Sequence, residues 1–146
     1  MASQPIVDIA SDLAYILDHY RTVAVVGLSP KPHRDSYGVS HYMQAQGWRI
    51  VPINPNADSI LGETCYASLQ DAARHHTIEL VNVFRNSADV PPVVADAIAV
   101  GAKAVWLQMG IAHDAAAQQA RTAGLRVVQN KCLMVEHRRH RSNSGT

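Results

Sequence analysis

Apolar residues recur along this chain in two rhythms. Between residues 6 and 20, Ile6, Ile9, Leu13, Ile16 and Leu17 share one face of a 3.6-residue period, with Asp8, Asp12 and Asp18 off that face. That spacing predicts an amphipathic helix. From residue 22 the rhythm changes. Residues 22–27 are almost continuously apolar, as in a parallel strand covered on both faces. A polar loop follows over 28–37, then a helix from Ser36 or Tyr37 to about Gln46, with Gly47 placed to end it.

The same alternation repeats. Residues 48–54 read as a second strand, in which Pro52 is awkward because it has no N–H for the ladder. Asn54-Pro55-Asn56 and Ile60-Leu61-Gly62-Glu63 read as turns, and Ser68 as the cap of a short helix through Arg74. Residues 78–84 form a third strand, with a loop at Arg85-Asn86-Ser87. Pro91 and Pro92 suit the first turn of a helix that runs to about Val100 and stops at Gly101. Residues 103–108 are a fourth strand, 112–123 an alanine-rich helix ended by Gly124, and 125–130 a fifth strand. Residues 131–140 read as a last helix, and 142–146 as frayed or disordered.

Five strands alternating with helices imply an α/β, Rossmann-like three-layer sandwich around a five-stranded parallel sheet. The expected strand order is 3-2-1-4-5, with a ligand crevice at the carboxyl ends near the switch between strands 1 and 4. The whole of 1–146 is then one domain, with a helical N-terminal extension over about 5–20 and a frayed basic tail over about 138–146.

Composition narrows the function. Nearly half the residues are apolar (47%) and 17% are charged, which excludes a disordered chain. A net charge of +1 gives no broad field for nucleic acid. No apolar run reaches the roughly 18 residues of a membrane span, and the N-terminus has no secretory pattern. The two cysteines, Cys65 and Cys132, form no CxxC pair, so a cytoplasmic protein with reduced thiols is expected.

The chemistry lies at the strand ends. Gly27 allows close approach of a ligand to the backbone, Ser29 and Ser36 supply hydroxyls, and the N–H groups opening the next helix point the same way. Lys31 and Arg34 add charge suited to a polyphosphate; the alternative is an ordinary loop with solvated charges. The dinucleotide fingerprint GxGxxG is absent, and Asn54 stands where an NAD site wants an acid. Asn54-Pro55 instead offers an amide and a flat ring to an adenine, or is a simple turn. Arg85 is a second phosphate ligand or a surface cation. Gln108 and Gly110 offer an amide and bare backbone, or form a strand end with a tight turn.

Cys132 reads either as a reactive thiol helped by Lys131 or as a half-buried structural cysteine. His75-His76 and the His137/His140 pair lack metal-ligand spacing, and no catalytic constellation or nucleophile elbow is present. The basic run Arg138-Arg139-His140-Arg141 is a solvated end or a contact for an acidic partner.

Several segments carry a resemblance together: Val25-Val-Gly-Leu-Ser-Pro-Lys-Pro through Ser36-Tyr-Gly-Val, Val51-Pro-Ile-Asn-Pro-Asn with Ile60-Leu-Gly-Glu, Val83-Phe-Arg, Val105-Trp-Leu-Gln-Met-Gly, and Gly124-Leu-Arg-Val-Val-Gln-Asn-Lys-Cys. In this order, over roughly residues 8–138, the chain resembles the small CoA-binding proteins of the YccU type, which are similar to the CoA-binding domain of the succinyl-CoA synthetase α subunit. The resemblance implies coenzyme A, or a short acyl-CoA, bound at the strand ends. It implies phosphates held by the loop of Gly27, Leu28, Ser29, Lys31, Arg34, Ser36 and Tyr37, adenosine beside Asn54 and Pro55, and the pantetheine arm along Phe84, Arg85, Gln108 and Gly110. Asp35 departs from the pattern, where this loop type often has proline. The synthetase's phosphohistidine domain has no counterpart here, so the expected function is binding without evident catalysis. An acyl-CoA or CoA-thiol enzyme using Cys132, including mixed-disulfide formation, and an NAD-type redox sensor are the alternatives. A homodimer or an unidentified protein partner is compatible with either.

Overall fold

The computed structural model describes residues 9–144. Five parallel strands form the sheet: β1 (Thr22–Val26), β2 (Arg49–Ile53), β5 (Leu80–Val83), β6 (Ala104–Leu107) and β7 (Arg126–Val128). A two-stranded hairpin, β3 (Ser59–Ile60) and β4 (Glu63–Thr64), lies between β2 and β5 in sequence. The helices are α1 (Ile9–His19), α2 (Asp35–Ala45), α3 (Leu69–Ala73), α4 (Val90–Ala99), α5 (Asp114–Thr122) and α6 (Leu133–Ser144).

The strands are apolar because both faces are covered. Within β1, Val23 and Val25 turn to one core, with α1, α2 and α6, while Ala24 and Val26 turn to the other, with α3, α4 and α5. The same alternation continues through Leu80 against Val81 and Val83, and through Trp106 against Val105 and Leu107. One buried group breaks this pattern. Asn82, in register with Val25 and Trp106, is 1% exposed, and neither end of its amide has a hydrogen-bond partner among the described residues. Such a group costs about 1–3 kcal/mol, and nothing in the structure accounts for it.

The α/β class and the five-stranded parallel sheet hold, but the order is β2-β1-β5-β6-β7. Counted by the five long strands this is 2-1-3-4-5, not 3-2-1-4-5. Pro52 gives the physical reason. Its carbonyl accepts from Tyr66 N–H on the side away from β1 (3.0 Å), so its missing N–H also faces outward, which an edge strand tolerates and an internal one does not. The switch therefore falls between β1 and the third strand, β5. Chain running outward from β1 to β2 carries α2 on one face, and chain running the other way through β5, β6 and β7 carries α4 and α5 on the opposite face.

The exposed edge of β2 is covered. Leu61 (φ 55) and Gly62 (φ 76) make the hairpin turn, as a type I′ turn demands, so the segment expected to be a simple turn is a hairpin. It is tied down by Arg49–Glu63 at 3.1 Å and by Gln44, whose amide donates to Leu61 C=O at 2.9 Å.

Ile16 and Leu17 are buried as the helical face predicts, whereas Ile6 and Asp8 lie outside the described residues. The tail differs from its expected fraying: α6 is helical through Ser144, and 145–146 lie outside the described residues. It docks rather than projects. Leu133 is 1% and His137 9% exposed, His137 Nδ1 shares a 2.9 Å hydrogen bond with the Tyr42 hydroxyl, and His140 Nε2 lies 2.6 Å from Asp18. No helix among the described residues is long and apolar enough to cross a membrane.

Docking of α6 makes stability depend on pH. Burial, then the charges of Arg141, Arg21 and His140, hold His137 below the ordinary 6.5. The folded state keeps the ring neutral while the unfolded chain takes up a proton. This contribution is complete above pH 6.5 and is lost as pH falls through that value toward the lower folded one. His76 is shifted the same way, chiefly by burial, so the wild type carries both effects. Thermal melts of wild type and His137→Gln across this range separate them: the variant is expected to lose less stability on acidification.

Candidate functional site

The carboxyl ends of β1 and β5 meet at Gly27. Its N–H donates to Ile53 C=O (3.2 Å), and Phe84 N–H donates to Val26 C=O (2.9 Å), so three strand ends are pinned together. Gly27 adopts φ 87, and a Cβ there would lie 2.5 Å from the Phe84 carbonyl oxygen. Glycine is required for both reasons.

The loop beyond is tied by its own side chains. Ser36 Oγ accepts from Ser29 N–H (3.0 Å), Ser29 Oγ accepts from Lys31 N–H (3.1 Å), and Arg34 N–H donates to Lys31 C=O (3.0 Å). Asn54, just past the end of β2, reaches the loop after β1: its amide donates to Leu28 C=O (2.9 Å) and its oxygen accepts from Asn56 N–H (2.8 Å). Ser36, Ser29 and Asn54 thus hold the loop's shape. The charged groups are left outward. Lys31, Arg34 and Arg85 make no side-chain hydrogen bond or ion pair among the described residues, in contrast to Arg49, Arg126 and Arg139.

Two hollows open over these strand ends. One of about 450 Å³ is lined by Gly27, Ser29, Lys31, Arg34, Asp35, Ser36 and Phe84. A larger cleft of about 940 Å³ runs from Pro32–Asp35 across Phe84–Ser87 to Gln108–Ile111 and the start of α6. Arg34, Asp35 and Phe84 border both. The expected residues therefore divide three ways. Gly27, Ser29, Lys31, Arg34 and Ser36 gather at the small hollow, and Phe84, Arg85, Gln108 and Gly110 at the large one. Leu28 is fully buried, Tyr37 lies half-buried beside His41 (ring centroids 6.3 Å apart), and Asn54 and Pro55 border neither hollow.

The large cleft also gains residues that the sequence reading passed over: His33, Ser87, Met109 and Met134. Met109 carried a signal, since an apolar side chain in a strand-exit turn has no core to enter; it is 63% exposed. Met134 carried none, because only the return of α6 beside α2 brings it there. The cleft's far wall is tied together. Gly110 N–H donates to Asn130 Oδ1 (2.7 Å), Trp106 Nε1–H donates to Lys131 C=O (2.8 Å), and Leu133 N–H reaches Gln108 Oε1 (3.4 Å). Cys132 opens α6, its carbonyl accepting from Glu136 N–H (2.9 Å), and lines the cleft. Cys65 lies elsewhere, where burial and then Asp58 push its thiol above the ordinary range. No group of three or more metal-ligating side chains occurs among the described residues.

Fold and site together define a doubly wound α/β domain with an open crevice at its switch point and unpaired cations on the crevice loop. The family model described as CoA binding domain matches residues 21–138, and the chain belongs to that family. The uncharacterized protein YneT of Bacillus subtilis is 35% identical over 127 residues, covering 87% of this chain and 93% of that one. A solved structure of a hypothetical protein from Pyrococcus horikoshii OT3 superposes with a TM-score of 0.85 at 37% identity, covering 95% of this chain and 97% of the other. The ADP-forming acetate–CoA ligase II of Archaeoglobus fulgidus is 30% identical over 97 residues, 64% of this chain but only 14% of the ligase.

Proposed function

We propose that the protein binds coenzyme A, or a short acyl-CoA, across the two joined hollows, without evident catalysis of its own. The observation that carries this reading is the meeting, at Arg34, of a cationic loop and a cleft whose mixed wall includes Phe84, Met109, Ile111 and Met134. The diphosphate takes the loop end, where Lys31 and Arg34 lack partners and α2 presents its opening N–H groups. The pantetheine arm runs past Phe84 and Arg85 toward Gln108 and Gly110. The adenosine extends beyond the smaller hollow, toward the Asn54-Pro55 turn. Membership of the CoA-binding family supports the ligand, and the likeness to an acetate–CoA ligase is in keeping with it. The unpaired thiols of Cys65 and Cys132 fit a cytoplasmic setting.

Calorimetry with CoA, acetyl-CoA and NAD tests the reading. CoA and acetyl-CoA are expected to bind well below 1 mM, about −4 kcal/mol or better, with NAD weaker. Absence of CoA binding to folded protein at that concentration overturns it.

A further inference from the structure

We propose that the cleft holds a CoA thiol against Cys132, so that this cysteine captures CoA reversibly as a mixed disulfide. This rests on the CoA-binding reading above and adds a covalent step to it.

Two observations support this placement. Cys132 lines the large cleft, at the opening of α6, where the helix presents its positive end. Beside it, Gln108 is 6% exposed and borders the same cleft; its oxygen accepts from Leu133 N–H, while its NH2 has no partner among the described residues. That NH2 is left able to donate into the cleft, and the amide carbonyls of a pantetheine arm supply acceptors for it. An arm so held, with its phosphates at Lys31 and Arg34, runs along the cleft toward Cys132. Cys65 borders neither of the two hollows.

The co-reactant is a CoA disulfide. The Cys132 thiolate attacks one sulfur of CoA–S–S–CoA. The Cys132–S–S–CoA bond forms, the original S–S bond breaks, and one CoA leaves as thiolate with the electron pair, to be protonated by solvent. No further oxidant is needed, and a reducing thiol reverses the exchange.

Full-length protein incubated with CoA disulfide is followed by intact mass and peptide mapping. One CoA equivalent is expected on Cys132, removed by dithiothreitol, with Cys65→Ser labelled at the same rate and Cys132→Ser unlabelled. Glutathione disulfide at equal concentration is expected to label at least about tenfold more slowly, since that factor is only about 1.4 kcal/mol of binding guidance. Equal rates with glutathione, or labelling mainly at Cys65, overturn the proposal. Calorimetry with reduced CoA on the same preparation separates the two readings. If reduced CoA binds and no adduct forms, the covalent step is wrong and the binding reading stands. If reduced CoA does not bind, both fall.

Discussion

Gly27→Ala is expected to destabilise the protein by roughly 3 kcal/mol or more and to abolish CoA binding. Two effects add at this residue. Its φ of 87 is one that a side chain strains, and its new Cβ would lie 2.5 Å from the Phe84 carbonyl oxygen. That oxygen belongs to backbone at the end of β5, so no rotamer change relieves the clash. Relief requires β1 and β5 to part just where Phe84 N–H bonds to Val26, and disturbs Gly27, whose N–H bonds to Ile53 of β2. Parting them moves Phe84 and Ser29, which border the smaller hollow. Gly101→Ala separates the two effects. Gly101 has φ 77, but nothing lies within 4 Å of its added Cβ, so only the conformational cost of about 1 kcal/mol applies. Denaturant midpoints of both variants, with calorimetry for CoA, check this. Equal losses would show that the Phe84 contact is not the cause.

The contrast between these two glycines also shows what a one-dimensional reading reaches. Helix ends are local events. Gly47, Gly101 and Gly124 stop helices by adopting positive φ, and Ser68 caps α3 by accepting from Asp71 N–H, all as their neighbours in sequence predict. Strand order is not local. Orders 3-2-1-4-5 and 2-1-3-4-5 use the same strand–helix units, and the choice turns on which strand tolerates an edge. Pro52 holds that information: a residue without an N–H for the ladder is an address at the sheet's edge as much as a fault in the pairing.

The site divides in the same way. Its cationic half comes from one short loop, so Lys31 and Arg34 are neighbours in sequence as well as at the smaller hollow. Its larger half is assembled from the ends of β5 and β6 and the start of α6, so Met134 and His33 became neighbours of Gln108 only through the fold. Hydrogen-bonding side chains were the hardest to assign. Ser36 and Asn54 have the chemistry of ligands, yet here they accept from and donate to the loop's own backbone. A residue's type says what bonds it can make, and packing decides with whom.

Asp35 shows how that division bears on affinity. A carboxylate beside a phosphate site is unfavourable by Coulomb's law. It makes no ion pair with Lys31 or Arg34 among the described residues, although it borders both hollows with Arg34. What it does have is the first position of α2, where the helix dipole favours a negative side chain. On the proposed reading, Asp35 would both steady the helix whose opening N–H groups meet the phosphates and repel their charge.

Opposite substitutions should then move CoA affinity in opposite directions. Lys31→Ala with Arg34→Ala removes two charge-assisted contacts, each worth about 1.5 kcal/mol or more, and is expected to weaken CoA binding on the order of 100-fold. Because both groups are exposed, the loss should shrink as salt rises. Asp35→Asn should strengthen binding by roughly threefold at low salt while lowering thermal stability slightly, since the helix loses its dipole partner. Calorimetric titrations of all three proteins at low and high salt measure both trends. If the double variant binds CoA as the wild type does, the phosphates are not held by this loop. In that case the unpaired cations would be solvated surface charge, and the Phe84–Gln108 cleft would have to supply the affinity alone.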